Sequence, residues 1–285
     1  MSIPSSGVPP GDRHLATNFT TQPVDNSKEV SQIDYDRIAS KYDQRFTAGT
    51  PSGEGQALRN LAREVKTSRV LEVGCGTGHW LQEMASGGPA LFGLDLSTGM
   101  LHQAKVKKTP VDLIQGYARQ LPFQDNSFDL VFCVNAIHHF ADPQAFITEA
   151  FRSVRLEGAL AVVGSGPQEW KSTWYVYRYF EGTYERDLRR FPAWGTVCQW
   201  MRAAGFKDLR HAEVEHIAAH KRGREVLDDP YLQKHACSQL ALLTDEAYAA
   251  GLRRIEEDLA QAERRGETLT FETELTIAML SGRKT

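Results

Sequence analysis

The sequence predicts an α/β fold with a Rossmann-like, seven-stranded, mostly parallel sheet and helices on both of its faces. Five short β-rich runs between residues 70 and 164 alternate with helical patterns, at the spacing of parallel strands joined by crossover helices. The first run ends in a loop with glycine at every second position, as at the nucleotide-binding edge of such sheets. Two further β-rich runs in the C-terminal third complete the predicted sheet.

Composition narrows the class of protein. The chain has 285 residues, 41% hydrophobic and 24% charged, as in soluble globular proteins with a large core. A net charge of −3 gives no reason to expect binding to nucleic acid or insertion into a membrane. Four widely spaced cysteines favour thiols in a reducing compartment over disulfides or a metal site. We therefore expect a cytoplasmic protein with a small-molecule partner.

The N-terminal part divides into a tail and a helix. Residues 1–28 are rich in Ser, Pro, Thr, Asn and Gly and have no apolar run, so we expect a mobile tail that is not a signal peptide. From Gln32 to Gln44 the apolar and aromatic positions recur at the spacing of one helix face: Tyr35, Ile38, Ala39 and Tyr42. The sequence predicts a helix there, with that face packed on the core.

The glycine loop follows a short run with the length of a buried strand, Val70 to Val73. Gly74, Gly76 and Gly78 then occupy alternate positions. Glycine tolerates positive φ and has no Cβ, so the backbone can turn sharply and a ligand can lie against it. The loop therefore predicts a ligand crevice at the carboxyl end of the first strand.

The spacing of the glycines indicates which ligand. A dinucleotide site needs G-x-G-x-x-G, and here His79 stands where that pattern needs its last glycine. Glu72 precedes the loop, and Asp95, 21 residues beyond Gly74, ends the second predicted strand, Ala90–Asp95. These carboxylates suit a ligand with an ammonium group and a ribose but no phosphate. An NAD-dependent oxidoreductase stays open as an alternative, although the glycine spacing disfavours it.

Two segments resemble a known family, Arg-Val-Leu-Glu-Val-Gly-Cys-Gly-Thr-Gly-His-Trp at 69–80 and Gly-Tyr-Ala-Arg-Gln-Leu-Pro-Phe at 116–123. They resemble the class I S-adenosylmethionine-dependent methyltransferases, in the small-molecule branch that includes the ubiquinone/menaquinone-type enzymes. The resemblance covers roughly residues 32–164. It implies S-adenosylmethionine as cofactor and S-adenosylhomocysteine as product. The cofactor-binding residues that it implies are Tyr35, Tyr42, Glu72, Gly74, Cys75, Gly76, Gly78, Asp95, Leu96, Met100, Tyr117, Ala118, Arg119 and Asn135.

Alternatives stay open for three parts of this set. Tyr117 stands where the family usually has an aspartate that accepts from adenine, so either Tyr117 or the backbone of Ala118 and Arg119 recognises the base. Met100 either contacts the purine or packs in the core. The N-terminal helix, by resemblance, lies over the cofactor crevice as a lid, and its tyrosines then reach the sulfonium or the substrate through cation–π attraction.

The candidate catalytic residues follow the fourth predicted strand, Asp129–Val134, at its carboxyl end. They are His138 and His139. Histidine titrates near neutral pH, so either can remove a proton from a methyl acceptor. The third strand is predicted at Val111–Gly116 and the fifth at Gly158–Gly164, with a helix that begins at Asp142-Pro143 between the fourth and fifth.

The segment from 170 to 200 contains ten of the 27 aromatic residues. One interpretation is a cap with an aromatic core of its own. The other is an aromatic substrate pocket in which an arginine holds a carboxylate or a phosphate. The candidate substrate residues are Trp170, Trp174, Tyr175 and Arg178, and the further arginines available are Arg186, Arg189 and Arg190.

Strand six is predicted at Phe206–Glu215 and strand seven at Thr270–Ser281, which in this family runs antiparallel at the sheet edge. Between them, Thr244 begins an amphipathic helix that packs on its own domain or forms a dimer contact or a lid. We therefore expect a methyltransferase domain at 29–285, with a cofactor core at about 66–164, a cap at about 165–205 and a helical insertion at about 217–267.

The predicted function is methyl transfer from S-adenosylmethionine to a small-molecule acceptor, aromatic or carboxylate-bearing, by in-line displacement. The protein is expected to be a monomer or a homodimer. A non-catalytic cofactor-binding or scaffold protein is the main alternative, and an RNA methyltransferase is disfavoured by the acidic net charge.

Overall fold

The computed structural model describes residues 33–45, 52–85, 88–169 and 173–285. The predicted tail at 1–28 lies outside these ranges. The strands are β1 Arg69–Val73, β2 Ala90–Asp95, β3 Val111–Gln115, β4 Phe128–Val134, β5 Val154–Ser165, β6 Thr173–Trp174, β7 Lys207–Arg222 and β8 Thr270–Arg283. The helices are α1 Tyr35–Ile38, α2 Gly53–Glu64, α3 His79–Met84, α4 Thr98–Val106, α5 Pro143–Ser153, α6 Tyr175–Tyr179, α7 Thr183–Arg190, α8 Trp194–Ala204, α9 Ser238–Ala241 and α10 Asp245–Arg264. In the ranges described, no helix is long and apolar enough to cross a bilayer.

The sheet has the predicted, mostly parallel topology. Its strand order is β3-β2-β1-β4-β5-β8, and β1 to β5 run parallel. β8 runs antiparallel to β5 and also pairs with β7, so β7 forms the edge. The prediction that the last strand lies at the edge is therefore wrong, since its hydrogen bonds are satisfied on both sides. Within the described ranges the sheet has eight strands where seven were predicted, because the two-residue strand β6 pairs with β8 at Thr273 and Glu274.

Both faces of the sheet are covered by helices. In β1, Leu71 and Val73 pack in a cluster that includes α5 and α8, whereas Val70 packs on the opposite face with α2 and α3. All three side chains are fully buried. A parallel sheet that is buried on both faces needs continuous apolar strands, which is why these runs show no alternation in sequence.

The prediction of a single helix in the N-terminal segment is wrong. Only Tyr35–Ile38 is α-helical, and a 3₁₀ turn continues from Ala39 to Arg45. Side-chain anchors at both ends of the segment, described below, hold it in these short turns, so tertiary contacts override the helical periodicity. We call the described part of this segment, residues 33–45, the strap.

The C-terminal helices enclose an aromatic core. This cap cluster consists of Trp174, Tyr175, Val176, Tyr179, Phe180, Val226, Leu232, Leu240, Leu243, Ile255, Leu259 and Phe271. Thr244 caps α10 by accepting a hydrogen bond from the Ala247 amide at 3.1 Å. A Cβ at Gly251 would lie only 2.3 Å from the Phe180 ring, so α10 packs very closely on the cap. The interpretation that this helix packs on its own domain is confirmed.

A pair of carboxyl groups joins α2 to β7. The Gly53 amide donates to Glu215 Oε2 at 2.8 Å, and Glu54 beside it is only 7% exposed. Burial, followed by the hydrogen bond with Glu215, raises the pKa of Glu54 to about 8. The hydrogen bond from Glu54 in turn lowers the pKa of Glu215. The pair therefore holds one proton at neutral pH.

This pair predicts a pH dependence of stability. Glu54 binds its proton more tightly in the folded state, so its contribution is complete below the unfolded pKa of about 4.5 and is lost as the pH rises through about 8. Glu54→Gln keeps a donor for Glu215 but cannot lose a proton. We expect the melting temperature of the parent to fall more steeply between pH 5 and pH 9 than that of Glu54→Gln, measured by thermal denaturation. Parallel curves for the two proteins would contradict the shared proton.

Candidate cofactor and acceptor site

The loop after β1 has the backbone that its glycines predict. Gly74, Gly76 and Gly78 have φ angles of +73°, +51° and +72°. A Cβ at Gly74 would lie 2.6 Å from the Ala136 Cβ, so this position is closed by packing. At Gly76 the nearest atom to a Cβ belongs to the Tyr42 ring at 4.0 Å. The backbone at Gly76 is therefore approachable from the side on which Tyr42 lies.

Asp95 ends β2 directly opposite this loop. Its Oδ2 accepts a hydrogen bond from the Gly76 amide at 2.8 Å and its Oδ1 accepts one from the Ser97 amide at 2.9 Å. Burial raises the pKa of Asp95, and these backbone hydrogen bonds partly oppose the rise. Each carboxylate oxygen has a second lone pair, so Asp95 can still accept hydroxyl donors.

Glu72 is a buried carboxyl group of β1 that lies within electrostatic reach of Asp95. It is 1% exposed, and its Oε2 has no hydrogen-bond partner in the described part of the chain. Burial, followed by the charge of Asp95, raises the pKa of Glu72 well above its usual value. A buried acceptor without a donor is costly, so this oxygen fits a ligand that brings an ammonium group.

Two aspartates fasten the strap to the loops after β1 and β2. Asp36 Oδ1 accepts from the Ser97 hydroxyl and from the Gly99 amide, both at 2.6 Å. These hydrogen bonds lower the pKa of Asp36. Asp43 accepts from the Thr77 hydroxyl at 2.5 Å. The strap therefore lies across the carboxyl ends of β1 and β2, which is the position implied by the family resemblance.

The strap also meets the end of β4. The Tyr35 hydroxyl and His139 Nε2 share a hydrogen bond of 2.8 Å, and the two rings are perpendicular with centroids 5.3 Å apart. Tyr42 lies edge-on to Tyr35, with ring centroids 6.1 Å apart. The fold thus brings groups that are far apart in sequence to one edge of the sheet. They are two tyrosines, a histidine and the glycine loop.

His138 has a different environment from His139, although the two rings are 4.0 Å apart. The His138 ring stacks on Phe191 at 3.8 Å with an angle of 15° between the planes. Burial, followed by the charges of His139 and Arg190, lowers the pKa of His138 well below its usual value. His138 is therefore neutral at physiological pH, and the expectation that it titrates near neutrality is wrong.

The remaining predicted cofactor residues surround the loop. Leu96 and Tyr117 are exposed by 48% and 40%, and Met100 is 1% exposed in the core. Arg119 lies over the Tyr117 ring at 5.2 Å. Ala118 belongs to the same segment and is partly buried. The exposed Leu96 and Tyr117 can contact a ligand directly, whereas Met100 offers it almost no surface.

Two of the predicted cofactor positions follow strand ends. Cys75 is buried in the loop, and burial raises the pKa of its thiol well above its usual value. Asn135 directly follows β4 with a positive φ of 50°, and its backbone amide donates to the Val163 carbonyl at 2.8 Å. Cys75 is therefore a protonated packing residue, and Asn135 shapes the turn that carries the histidines.

The predicted substrate residues lie mainly in the cap. Trp174 and Tyr175 are 7% and 4% exposed within the cap cluster, and the Tyr175 hydroxyl donates to Asp229 at 3.0 Å. Arg178 is exposed and lies 3.8 Å from Asp258. Trp170 falls outside the described residues. For Trp174 and Tyr175 the structure favours the first interpretation of the aromatic segment, a cap with its own core, because side chains this buried offer little surface to a substrate.

A small cavity at the carboxyl ends of β4 and β5 brings His138 together with residues that the sequence analysis did not propose for the site. Its lining includes His138, Ser165, Phe191 and Trp194. The indole Nε1 of Trp194 is buried there without a hydrogen-bond partner among the described residues. Ser165 could have been found from its place at the end of β5. Phe191 and Trp194 carried no signal beyond the general aromatic enrichment.

The residues present fit S-adenosylmethionine. Glu72 provides an unpartnered buried acceptor for the ammonium group, and Asp95 provides spare acceptor capacity for ribose hydroxyls. The glycine backbone around Gly76 allows close approach. A cation is attracted to the face of an aromatic ring, so the Tyr35 and Tyr42 rings beside the loop suit a positively charged sulfur.

Comparison with known proteins agrees with this geometry. The methyltransferase-domain family matches residues 71–162. A demethylmenaquinone methyltransferase from Renibacterium salmoninarum is 27% identical over 215 residues, which cover 67% of this chain and 90% of that protein. A demethylmenaquinone methyltransferase from Listeria monocytogenes is 30% identical over 177 residues, which cover 53% of this chain and 75% of that protein.

A solved structure shares the fold. Phosphoethanolamine N-methyltransferase 2 from Haemonchus contortus, in complex with S-adenosyl-L-methionine, superposes with a TM-score of 0.57 at 19% identity, over 87% of this chain and 57% of that one. The glycine loop with its two carboxylates, the parallel sheet and these relatives decide against a dinucleotide-dependent oxidoreductase. The chain belongs to the class I S-adenosylmethionine-dependent methyltransferases, in the quinone-type branch.

Proposed function

We propose that the enzyme transfers a methyl group from S-adenosylmethionine to a small-molecule acceptor that is aromatic or carboxylate-bearing, and that His139 receives the acceptor's proton. The observation that carries the proposal is the 2.8 Å hydrogen bond between the Tyr35 hydroxyl and His139 Nε2. It joins the strap to the end of β4, at the same edge of the sheet as the glycine loop.

The proposed cofactor contacts follow from the site. Glu72 accepts from the ammonium group, and Asp95 accepts from the ribose hydroxyls across from Gly76. The exposed Tyr117 ring is the proposed adenine contact, with the backbone of Ala118 beside it as the alternative. Tyr117 is held against Arg119, so a flat surface stands where the family usually has a carboxylate.

Methyl transfer does not require a covalent intermediate with the protein. S-adenosylmethionine supplies a methyl group that leaves its positively charged sulfur in a single displacement, and the sulfur keeps the bonding electron pair. Alignment of the nucleophile with that bond contributes several kcal/mol, roughly, to the rate. His139 is oriented by Tyr35 and receives the proton that an acceptor O–H or N–H loses. His138, neutral and stacked on Phe191, forms a flat wall beside it.

Three observations support an aromatic acceptor. The wall formed by His138 and Phe191 presents parallel rings to the cavity at the ends of β4 and β5. Such rings favour stacked or edge-on aromatic partners. Trp194 adds an unpartnered N–H donor to the same cavity, which suits an acceptor with a ring oxygen. The relatives named above are described as acting on demethylmenaquinone, and a quinone-like ring is consistent with this wall.

The proposed assignment of His139 predicts a catalytic defect without a binding defect. His139→Gln is expected to lower kcat by about 100-fold or more, because positioned general acid–base groups contribute on the order of 10²–10⁴. Its affinity for S-adenosylhomocysteine, measured by calorimetry, should stay within about threefold of the parent, as the cofactor contacts remain. Tyr35→Phe keeps the ring and should lower kcat less.

The assay supplies radiolabelled S-adenosylmethionine and a metabolite extract, and follows label into low-molecular-weight products. His102→Gln is the matched control, because His102 is exposed on α4. Label that enters only RNA or protein would overturn the small-molecule acceptor. An unchanged kcat in both His139→Gln and the double variant with His138→Gln would remove histidine from the mechanism.

A further inference from the structure

The cap contains a buried group of charged residues that the proposed mechanism does not use. Asp187 on α7 is 1% exposed and accepts hydrogen bonds from the Tyr177 hydroxyl at 2.8 Å and from Gln239 at 2.6 Å. Arg190 Nη2 donates to Asp187 at 2.8 Å and to Ser238 at 2.8 Å. Burial of so many polar groups is favourable only when their hydrogen bonds are made.

Two arginines of this group are incompletely paired. The Arg190 side chain is 8% exposed, and its Nε has no hydrogen-bond partner in the described ranges. Arg186, one turn earlier on the same face of α7, has a buried Nη1 that also lacks a partner there. Asp187 pairs with Arg190, and among the described residues no carboxylate forms a salt bridge with Arg186.

Arg190 lies beside the cavity where the acceptor is proposed to bind. The Arg190 guanidinium carbon is 5.4 Å from the centroid of the Phe191 ring, and Phe191 stacks on His138 in the cavity wall. The charge of Arg190 is also one of the causes of the lowered pKa of His138. Arg190 therefore stands within electrostatic reach of the site where the acceptor is proposed to bind.

We infer that Arg186 and Arg190 bind an oxyanion of the methyl acceptor, a carboxylate or a phosphate, beside the wall formed by His138 and Phe191. The inference rests on the proposed function and names the acceptor as an anion. Guanidinium groups present paired N–H donors that match the oxygens of either anion. A bound oxyanion supplies an acceptor for the orphaned N–H groups of Arg186 and Arg190, together with a negative charge.

The first experiment sorts acceptors by charge before the reaction. A metabolite extract is passed over an anion exchanger at neutral pH, and the flow-through and the salt-eluted fraction are each supplied with enzyme and radiolabelled S-adenosylmethionine. Methylation is expected from the eluted fraction only. Methylation from the flow-through overturns the inference and leaves the proposed function standing, whereas no small-molecule product from either fraction overturns the proposed function itself.

A phosphatase treatment of the eluted fraction distinguishes the two anions. Loss of acceptor activity assigns the site to a phosphate, and retained activity assigns it to a carboxylate. Either result agrees with the inference, because binding to the anion exchanger already shows that the acceptor is an anion.

The second experiment changes the arginines. Arg186→Gln removes no pairing partner of the described cap, so the fold should be kept, and Arg190→Lys keeps a charge for Asp187 but loses the planar fork. Both are expected to raise KM for the eluted acceptor by about 10- to 100-fold, with kcat within about threefold. Arg189→Gln, at an exposed position of α7, should leave KM unchanged.

A purely structural role for the arginines gives a different result. It predicts lower melting temperatures and an unchanged KM in the folded fraction. An unchanged KM in both Arg186→Gln and Arg190→Lys, with folded protein confirmed by circular dichroism, overturns the inference.

Discussion

Replacing Asp95 with alanine is expected to weaken the binding of S-adenosylhomocysteine by about 100-fold or more. The carboxylate is the acceptor proposed for two ribose hydroxyls, and hydrogen bonds to a charged group are each worth about 1.5–3 kcal/mol. The substitution also removes the acceptor of the Gly76 and Ser97 amides, so the glycine loop loses its side-chain tie to β2 and keeps the backbone hydrogen bonds to Leu94. Isothermal titration calorimetry with the purified protein measures the effect.

The matched control is Asp112→Ala. Asp112 lies on the neighbouring strand β3 and is exposed. Its replacement removes the same charge without touching the loop, so the affinity should stay at the parent value. Equal affinities for Asp95→Ala and the parent would remove the carboxylate at the end of β2 from the cofactor site.

Replacing Gly74 with alanine is expected to cost much more stability than the same change at Gly88. Both glycines have positive φ, +73° and +79°, so both substitutions carry the backbone penalty of about 1–2 kcal/mol. At Gly88 an added Cβ meets nothing within 4 Å, whereas at Gly74 it lies 2.6 Å from the Ala136 Cβ. Overpacking adds about 1–3 kcal/mol, so we expect a total of about 3 kcal/mol at Gly74.

Urea denaturation gives the free energy of unfolding of the two variants. Comparing the two values separates the cost of backbone strain from the cost of steric overlap. The difference between them is the cost of the contacts with Ala136 and Phe140, since the φ angles are similar. A Gly74→Ala variant as stable as Gly88→Ala would show that the turn after β4 can move away. In that case the close packing of the two loops would not be what requires glycine at this position.

The sequence was most informative where one local pattern determines the structure. Alternate glycines after a β-rich run predict a turn with positive φ, and a carboxylate about 20 residues later falls at the end of the adjacent strand, because parallel strands end at one edge. Gly76 and Asp95 are joined by a 2.8 Å hydrogen bond, as this reasoning requires. The N-caps at Asp142 and Thr244 were predicted for the same reason, since a cap depends on neighbours only three residues away.

Contacts between distant segments could not be read in the same way. Tyr35 and His139 are 104 positions apart and meet only because the strap crosses the sheet edge. Asp36 and Asp43 each follow a tyrosine of the strap. This repeated Tyr-Asp dipeptide was the only sequence signal that these two aspartates anchor the strap. An aromatic-rich segment gives no such signal, because the composition of a cap core and that of a substrate pocket are alike. Burial of Trp174 then favours the cap core.

The long pairing of β7 with β8 has a mechanical consequence. The two strands pair from Lys207 with Arg283 to Arg222 with Thr270, and β8 bonds β5 of the cofactor core near one end and β6 of the cap nearer the other. The ladder shifts register between Lys207 and Arg210 and between Glu213 and Glu215, but it still runs from the core to the cap. We therefore expect it to resist hinging of the cap as a separate body. We then expect access for incoming compounds to depend on the short strap, and a change of acceptor preference to need only side-chain substitutions in the proposed acceptor wall.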